Sequence, residues 1–293
     1  MNIAMALEIP IDLAVIHQRL TKMSAEKRKH DLKIYLGYRY RYKYFPLTDE
    51  ERVDHLRNVL VRSRFWLSPP TELNDPFELQ CEITFDGTVT QQRKRLDDLL
   101  KEGGWHHAAA RRKKVTELMS RGPEALYRII EEHHWNSIKT VGVCCFAGSP
   151  LNILMWSHYA NGHRGVCLQF DSVKDWLPFL CGCRVDYRNE YPMIKWTTDH
   201  AKDLGKFITR KYLGWKYEDE SRIIYLNGAH QHVPVQPQAL ISIFVGCEAE
   251  ADCKIIKQLL KERLDKGHPT PAIYRVLRHP KKYQLIAIKD PNF

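Results

Sequence analysis

The sequence lacks the short motifs that mark the common nucleotide-binding and zinc-dependent enzymes. Its 293 residues contain no G-x-G-x-x-G after a predicted strand, no Walker A motif and no H-E-x-x-H. No pair of C-x-x-C motifs is present either, which argues against a structural zinc site. If the protein binds a nucleotide, it does so without a Rossmann fingerprint or a P-loop, and we expect no bound metal.

Long apolar runs and an export signal are also missing. The longest apolar stretches, residues 141–148 and 239–247, are too short to cross a bilayer. Glu8 and Asp12 interrupt the apolar residues near the N-terminus, so no secretory signal is predicted. The eight cysteines are then expected to be reduced thiols. The sequence therefore predicts a cytoplasmic protein with no membrane partner.

Acidic residues are fewer than basic ones, 35 against 45, which gives a formal net charge of +10. This excess favours phosphate-rich partners such as nucleic acid or a nucleotide. Hydrophobic residues make up 44% of the chain, which is typical of a packed globular protein. A basic run from Lys22 to Lys33 lies in a predicted N-terminal arm at residues 1–37. The arm is either a solvated surface or a nucleic-acid contact.

The first segment with a clear pattern is Tyr38–Phe45, where aromatic and basic residues alternate. This alternation predicts a strand with one aromatic face and one cationic face. Thr48 is the predicted N-cap of the next helix, with Glu51 completing a capping box.

The remaining patterns predict a mixed α+β fold. A block of helices at about residues 88–138 is broken at Gly103-Gly104 and Gly122-Pro123, and resembles an insertion between sheet elements. Further strands are predicted at residues 64–67, 140–146, 165–170, 183–187, 222–226, 240–245, 272–277 and 283–288, and helices at 151–159, 198–213 and 248–264. We therefore expect a single catalytic domain at residues 38–293 that contains the helical insertion.

The segment 211–226 places Glu218, Glu220 and Arg222 at alternate positions before an apolar run. In a strand, residues two apart lie on the same face, so these side chains are expected to lie side by side. Charged groups that lead into a buried strand are costly unless they are paired or used in chemistry. The segment is either an edge-strand ion pair or the centre of an active site.

A second cluster follows a predicted strand, where Trp156, Tyr159 and His163 surround a helix end and a glycine turn. Such a cluster could enclose a flat ring and supply hydrogen bonds to it, or it could be a core tryptophan with a capping histidine. Cys144 or Cys145 with His158 or His163 could form a nucleophile–base pair. Because both cysteines lie in a hydrophobic strand, inert buried thiols are the commoner outcome.

Several ordered motifs carry a family resemblance. They are Tyr42-Lys-Tyr44, Leu73-Asn-Asp-Pro-Phe-Glu78, Cys145-Phe146, Met155-Trp-x-x-Tyr-Ala160, His163-x-Gly165 and Trp215-x-Tyr-Glu-x-Glu-x-Arg222. Together they resemble the bacterial domain-of-unknown-function family numbered 2971, over about residues 38–290. Ala147 departs from the family pattern, which has serine after Cys-Phe.

The order of elements is similar, more distantly, to the ADP-ribosyltransferase fold of nucleic-acid-modifying toxins. This resemblance implies a split mixed β-sheet core and NAD bound as a substrate without a glycine-rich fingerprint. It implies that Glu220 is the catalytic acid, with Glu218 the alternative and Arg222 beside them. It also implies a set of cofactor-binding residues. Tyr42, Lys43 and Tyr44 would contact the diphosphate and ribose, and Trp156 and Tyr159 would pack on the nicotinamide or its ribose. His163 would lie beside these two rings, and Asn74 and Asp75 would form part of the pocket wall.

The resulting expectation is an ADP-ribosyltransferase that acts on RNA or DNA, as a toxin or phage-defence effector with a possible antitoxin protein. One alternative is a metal-dependent nuclease that uses Asp75, Glu78 and Glu82. Another is a non-catalytic nucleic-acid-binding module, with strand 38–45 as a stacking platform for bases.

Overall fold

The first element of the computed structural model is strand β1 (Tyr40–Phe45), formed by the alternating aromatic and basic residues. The structure describes residue 24 and residues 38–84, 87–197 and 200–293, so the predicted basic arm lies outside the described residues apart from Ser24. The strand pairs in antiparallel fashion with β5 along its whole length. The predicted strand is confirmed.

Two sheets carry most of the architecture, which is α+β as predicted. A five-stranded mixed sheet has the order β1-β5-β12-β13-β14, and a three-stranded antiparallel sheet has the order β4-β10-β6. Three two-stranded pairs, β2–β11, β3–β8 and β7–β9, complete the described strands. The strands are β2 (Arg64–Leu67), β3 (Glu82–Thr84), β4 (Gly142–Phe146), β5 (Val166–Asp171), β6 (Gly182–Arg184), β7 (Asp186–Arg188), β8 (Met193–Lys195), β9 (Arg210–Tyr212), β10 (Ser221–Tyr225), β11 (Gln231–Pro234), β12 (Leu240–Val245), β13 (Ala272–Arg278) and β14 (Leu285–Lys289).

The two sheets meet where β1 approaches the end of β4. The backbone amide of Ala147 donates to the carbonyl of Tyr42 over 2.7 Å, and the amide of Tyr42 donates back over 3.1 Å. A second bridge between Ser68 and Val143 ties the end of β2 to β4. The first bridge fixes β1 beside the end of β4, and a cleft that we call the main cleft lies beside these two strands.

The helices include the predicted helical block between β3 and β4. The described helices are α1 (Glu50–Leu60), α2 (Val89–Glu102), α3 (Ala108–Ser120), α4 (Pro123–Lys139), α5 (Ile153–Tyr159), α6 (His200–Thr209) and α7 (Cys253–Asp265). The breaks after α2 and before α4 fall at the predicted glycines and proline. Within the described part of the chain, no helix is long and apolar enough to cross a membrane.

Aromatic side chains form the centre of the main core. Phe65 of β2 is fully buried, and its ring lies edge-to-face with Phe146, Phe170 and Phe179, at centroid distances of 5.2, 5.0 and 5.9 Å. These rings come from β2, β4, β5 and the 3-10 turn Pro178–Cys181, so one cluster joins both sheets. Edge-to-face packing of this kind adds about 0.5–1.5 kcal/mol per pair beyond burial.

Local boundaries differ from the sequence-based expectations in several places. The N-cap of α1 is Asp49 rather than Thr48, because the Asp49 carboxylate accepts from the Arg52 amide over 2.9 Å. The helix predicted at 198–213 ends at Thr209 and gives way to strand β9, which pairs with β7. The helix predicted from Glu248 begins at Cys253. Segment 183–187 forms parts of two separate strands, β6 and β7.

Arg41, the middle residue of the cationic face predicted for β1, does not face solvent. Arg41 is 1% exposed, its guanidinium donates to the Ser221 hydroxyl, and it lies over the Phe179 ring. Burial lowers the pKa of Arg41 to about 10. The alternation does form a strand, but the three-stranded sheet covers Arg41 at the middle of its basic face.

Candidate active site

A cleft of about 610 Å³ opens beside β1 and β4. Its wall includes Tyr42, Lys43 and Tyr44 of β1, Asn74 of the loop after β2, and Tyr159 at the end of α5. Its floor contains Glu78, Lys211, Glu218, Glu220 and Arg222. The volume lies within the range of ordinary small-molecule sites, about 300–1,000 Å³.

The two acids of the Glu-x-Glu pair do not lie on one strand face as expected. Glu218 is the last residue of the 3-10 turn Leu213–Glu218, and Asp219 adopts a left-handed conformation with φ of 44°. Strand β10 begins only at Ser221, so Glu220 directly precedes it and Arg222 lies within it. The turn at Asp219 interrupts the period-two alternation, yet the carboxylates still converge because one lysine binds both.

That lysine is Lys211, on strand β9. Its ammonium nitrogen lies 2.6 Å from Glu218 Oε2, 3.1 Å from Glu220 Oε2 and 3.1 Å from Glu78 Oε1. The lysine and all three carboxylates are less than 5% exposed at their side chains. Lys211 is therefore the common partner of the acids on the cleft floor.

Arg222 is the second cation of this cluster. Its Nε lies 2.7 Å from Glu220 Oε1, and its Nη2 lies 3.1 Å from Glu220 Oε2 and 2.5 Å from Glu78 Oε2. Its Nη1 donates to the carbonyl oxygen of Ile208 over 2.6 Å. The planar guanidinium thus binds both Glu220 oxygens at once, the geometry that arginine favours with carboxylates.

The cluster drives the pKa values of the two neighbouring acids in opposite directions. Burial raises the pKa of Glu218, and the Glu220 carboxylate adds to the rise against the opposing effect of Lys211. Burial also acts to raise the pKa of Glu220, but the charges of Arg222 and Lys211 outweigh it and hold that pKa below its ordinary value. Adjacent carboxyls with divergent pKa values are the usual basis for dividing acid–base roles. Glu218 is the group suited to exchanging a proton, and Glu220 the group suited to staying charged.

Hydrogen bonds connect Glu218 to the cleft wall. The Tyr159 hydroxyl donates to Glu218 Oε1 over 2.6 Å, and the Asn74 side-chain amide donates to the Tyr159 oxygen over 3.0 Å. Asn152, the N-cap of α5, donates from its side chain to the Tyr217 carbonyl over 2.7 Å and so ties the helix to the same turn. Three predicted site residues, Asn74, Tyr159 and Glu218, therefore form one chain of hydrogen bonds.

The predicted β1 residues line the other wall. The ammonium group of Lys43 donates to the carbonyl of Cys145 over 3.1 Å, and the Tyr44 hydroxyl donates to the carbonyl of Ser149 over 2.8 Å. Burial raises the pKa of Tyr42 to about 12, so this hydroxyl stays protonated at neutral pH. Ala147, where the family pattern has serine, also lines the cleft but contributes no hydroxyl group.

Three of the predicted binding residues do not reach the cleft. Trp156 is fully buried, donates to the carbonyl of Pro150 over 2.7 Å and packs edge-to-face on Tyr44. His163 stacks on Trp156, with ring centroids 6.3 Å apart, and accepts or donates a 3.2 Å hydrogen bond at Ser157. Asp75 holds its own turn by accepting from the Phe77 amide over 2.9 Å. These residues support the walls and are not part of the cleft surface.

The other sequence-based arrangements are not assembled. Burial raises the pKa of both Cys144 and Cys145, which makes them poor nucleophiles. Of the acids in the nuclease hypothesis, Glu78 belongs to the ion cluster and Glu82 lies exposed on β3. Within the described residues, no group of three or more His, Cys, Asp or Glu side chains is placed to hold a metal ion. Cys144, Cys145, Cys167, Cys247 and Cys253 are free thiols.

Lys211 and Glu78 are the site residues that the sequence reasoning missed. Glu78 ends the Leu73-Asn-Asp-Pro-Phe-Glu78 motif, but the only chemical role predicted for it was that of a metal ligand in the nuclease alternative. Lys211 is the first residue of the segment 211–226, but it also belongs to the stretch 198–213, which was predicted as helix. In the structure it lies on strand β9. The signal that could have identified Lys211 is its closeness in the sequence to Glu218 and Glu220, two acids that need a cation as partner.

Comparison with known proteins bears on this same region. Residues 155–223 match the model of the family described as Protein of unknown function (DUF2971). The matched segment includes Tyr159, Lys211, Glu218, Glu220 and Arg222, so it spans most of the ion cluster. The family resemblance predicted from the motifs is confirmed over this segment. No curated protein and no solved structure matches the chain significantly.

Proposed function

We propose that this chain is an NAD-dependent ADP-ribosyltransferase that modifies nucleic acid in the bacterial cytoplasm. The role that fits best is a toxin or phage-defence effector, with an antitoxin protein as a possible partner. Its five-stranded and three-stranded sheets would correspond to the split core of the ADP-ribosyltransferase type. The observation that carries the proposal is the Glu218–Glu220 pair on the cleft floor, with one pKa raised and the other lowered.

The residues of the cleft fit the chemical groups of NAD. Lys43 and Arg52 line the cleft without belonging to the ion cluster, and they offer positive charge for the diphosphate. Tyr42, Tyr44 and Tyr159 supply aromatic walls for the ribose and nicotinamide. In this arrangement the carboxylates would face a ribose hydroxyl and the positive charge that develops on the ribose.

The reaction that these groups support is cleavage of the bond between nicotinamide and the ribose carbon. Nicotinamide leaves with the electron pair of that bond, and the ribose passes through an oxocarbenium-like state. The fixed charge of Glu220 stabilises this state. A nucleophile of the acceptor forms the new bond to the ribose carbon, and its proton passes to Glu218. The assignment of the base to Glu218 differs from the sequence-based preference for Glu220, because the pKa of Glu218 is raised whereas Arg222 and Lys211 hold the pKa of Glu220 below its ordinary value.

The test is transfer of label from NAD carrying a radioactive adenylate group. Purified chain is incubated with this NAD and total bacterial RNA, and separately with DNA, in the presence of a chelator. We expect label on nucleic acid with the native chain and with Glu248→Gln, which changes a surface acid paired to Arg278. We expect no label with Glu218→Gln. Absence of NAD binding, or nucleic acid that is cut only when metal is added, would favour the nuclease.

A further inference from the structure

A second pocket, of about 200 Å³, shares Lys211 with the main cleft. Phe77, Tyr191 and Tyr212 line it, and we call it the aromatic pocket. These side chains are 66%, 50% and 57% exposed, although large aromatic groups are usually buried. Three exposed rings around one pocket are typical of a binding surface rather than of a scattered apolar surface.

The loop before β3 fixes the direction of Phe77 relative to the ion cluster. Asp75 accepts from the Phe77 amide, and Leu79 adopts a left-handed conformation with φ of 66°, which is rare for a bulky residue. The backbone therefore directs Phe77 outward to the aromatic pocket and Glu78 inward to Lys211 and Arg222. Two consecutive residues thus connect the aromatic pocket to the acids of the main cleft.

Tyr212 is also held in place by its surroundings. A Cβ atom at Gly214 would lie 2.5 Å from Cε1 of the Tyr212 ring, so the ring packs directly on the glycine. This contact restricts one side of a ring that is more than half exposed. An aromatic side chain that is held rigid loses little conformational entropy when it binds a flat ligand.

Arginines give the aromatic pocket its polar character. Arg188 and Arg210 line it, and Arg210 binds Asp186 at 3.1 Å and the Glu190 carbonyl at 3.2 Å through its terminal nitrogens. The Nε of Arg210 is buried and has no hydrogen-bond partner among the residues that the structure describes. Guanidinium groups beside aromatic rings suit a flat ligand with acceptor atoms at its edge.

We propose that the aromatic pocket binds an unpaired nucleobase of a single-stranded RNA or DNA. Stacking on Phe77, Tyr191 or Tyr212 requires a base whose face is free, as it is in a single strand but not within a duplex. The chain's net charge of +10 favours such a polyanion. In the transferase, this base would belong to the acceptor nucleic acid. Because Phe77 and Glu78 are consecutive, the next nucleotide of that acceptor would lie near the acids of the main cleft. The role as acceptor site rests on the proposed function, whereas the binding of a base does not.

Binding is measured with the full chain by fluorescence anisotropy of labelled single-stranded RNA and DNA, without NAD. We expect Phe77→Ala and Tyr212→Ala each to weaken binding about tenfold, as removal of one stacking ring usually does. Tyr212→Phe keeps the ring and should bind as the native chain does. Tyr283→Ala removes a fully exposed ring from a different part of the surface and serves as the matched control. Affinity should fall with added salt, and a duplex of the same sequence should bind more weakly.

Native affinity in both alanine variants, or an equal loss in Tyr283→Ala, would overturn the proposal. Failure to bind any oligonucleotide at low salt, with label from NAD appearing on protein, would also overturn it and make a protein the acceptor. The Glu218→Gln variant separates the two proposals. It should bind oligonucleotides as the native chain does. Loss of NAD turnover with binding retained would therefore support the aromatic pocket as a base-binding site.

Discussion

The hydroxyl of Tyr159 donates a 2.6 Å hydrogen bond to Glu218, although 59 positions separate the two residues in the sequence. The bond joins the end of α5 to the 3-10 turn before β10. It also stabilises the charged form of Glu218 and so opposes the rise in pKa that burial causes. The basicity that we assign to Glu218 therefore depends on a hydrogen bond that forms only when the chain folds.

Tyr159→Phe is expected to move the pH dependence of the reaction. The substitution removes a hydrogen bond that lowers the pKa of Glu218, so that pKa rises further. A base must be ionised to accept a proton, so the acidic limb of the pH–rate profile should shift to higher pH. The measurement is nicotinamide release from NAD across a pH series. Tyr283→Phe is the matched control, and an unchanged profile in Tyr159→Phe would contradict the role given to Tyr159.

Glu220→Gln is expected to destabilise the fold as well as the site. The substitution leaves part of the charge on both Arg222 and Lys211 uncompensated in a buried environment, although Glu78 still contacts each of them. Removing one partner of a buried ion pair costs about 3–5 kcal/mol. Urea unfolding should show this loss, whereas Glu248→Gln, in an exposed pair, should cost at most about 1 kcal/mol. Equal effects of the two substitutions would contradict the buried network.

The stability difference between the native chain and Glu220→Gln should depend on pH. The folded state holds the pKa of Glu220 below its ordinary value of 4.5, so the folded protein releases this proton more readily than the unfolded chain. The resulting stabilisation is present above pH 4.5 and is lost as the pH falls below it, through the lowered pKa. The difference between the two unfolding free energies should therefore narrow as the pH falls from 7 to 3. A constant difference over that range would contradict the assignment of charge to Glu220.

Phe65→Ala is expected to lower the free energy of unfolding by about 3–5 kcal/mol, because it empties the centre of the aromatic core. Phe77→Ala changes the same residue type at an exposed position and should alter stability by less than about 0.5 kcal/mol. Thermal and urea unfolding of both variants gives the comparison. A small effect at Phe65 would show that the two sheets do not share the core described above.

Elements with a local signal could be predicted from the sequence, and contacts between distant segments could not. The alternation in β1 and the Gly-Pro break before α4 depend on neighbouring residues, so their elements appear where expected. The burial of Arg41 depends on the sheet that covers it, which no local pattern reveals. Lys211 and Glu78 meet across 133 positions, so their pairing exists only after folding.

The candidate site illustrates the same division. Glu218 and Glu220 were identified because two acids beside a strand need partners, and the structure supplies those partners. The prediction that their side chains share one face of a strand was wrong, because Asp219 adopts a left-handed backbone conformation between them. The sequence left open whether Trp156 belongs to the core or to the cleft, because helix α5 is only seven residues long and its pattern does not distinguish the two; in the structure Trp156 lies in the core.

The most direct test of the central claim is release of nicotinamide from NAD by the purified chain in the presence of a chelator. The proposal predicts release by the native chain and by Glu248→Gln, and a rate about 10²–10⁴-fold lower in Glu218→Gln, the usual contribution of a general base. The Glu218→Gln variant should keep the circular dichroism spectrum of the native chain, although its unfolding midpoint should fall because Lys211 loses one of its three buried carboxylate partners. Nicotinamide release at the native rate by folded Glu218→Gln, or no release by the native chain with any RNA or DNA present, would contradict the claim.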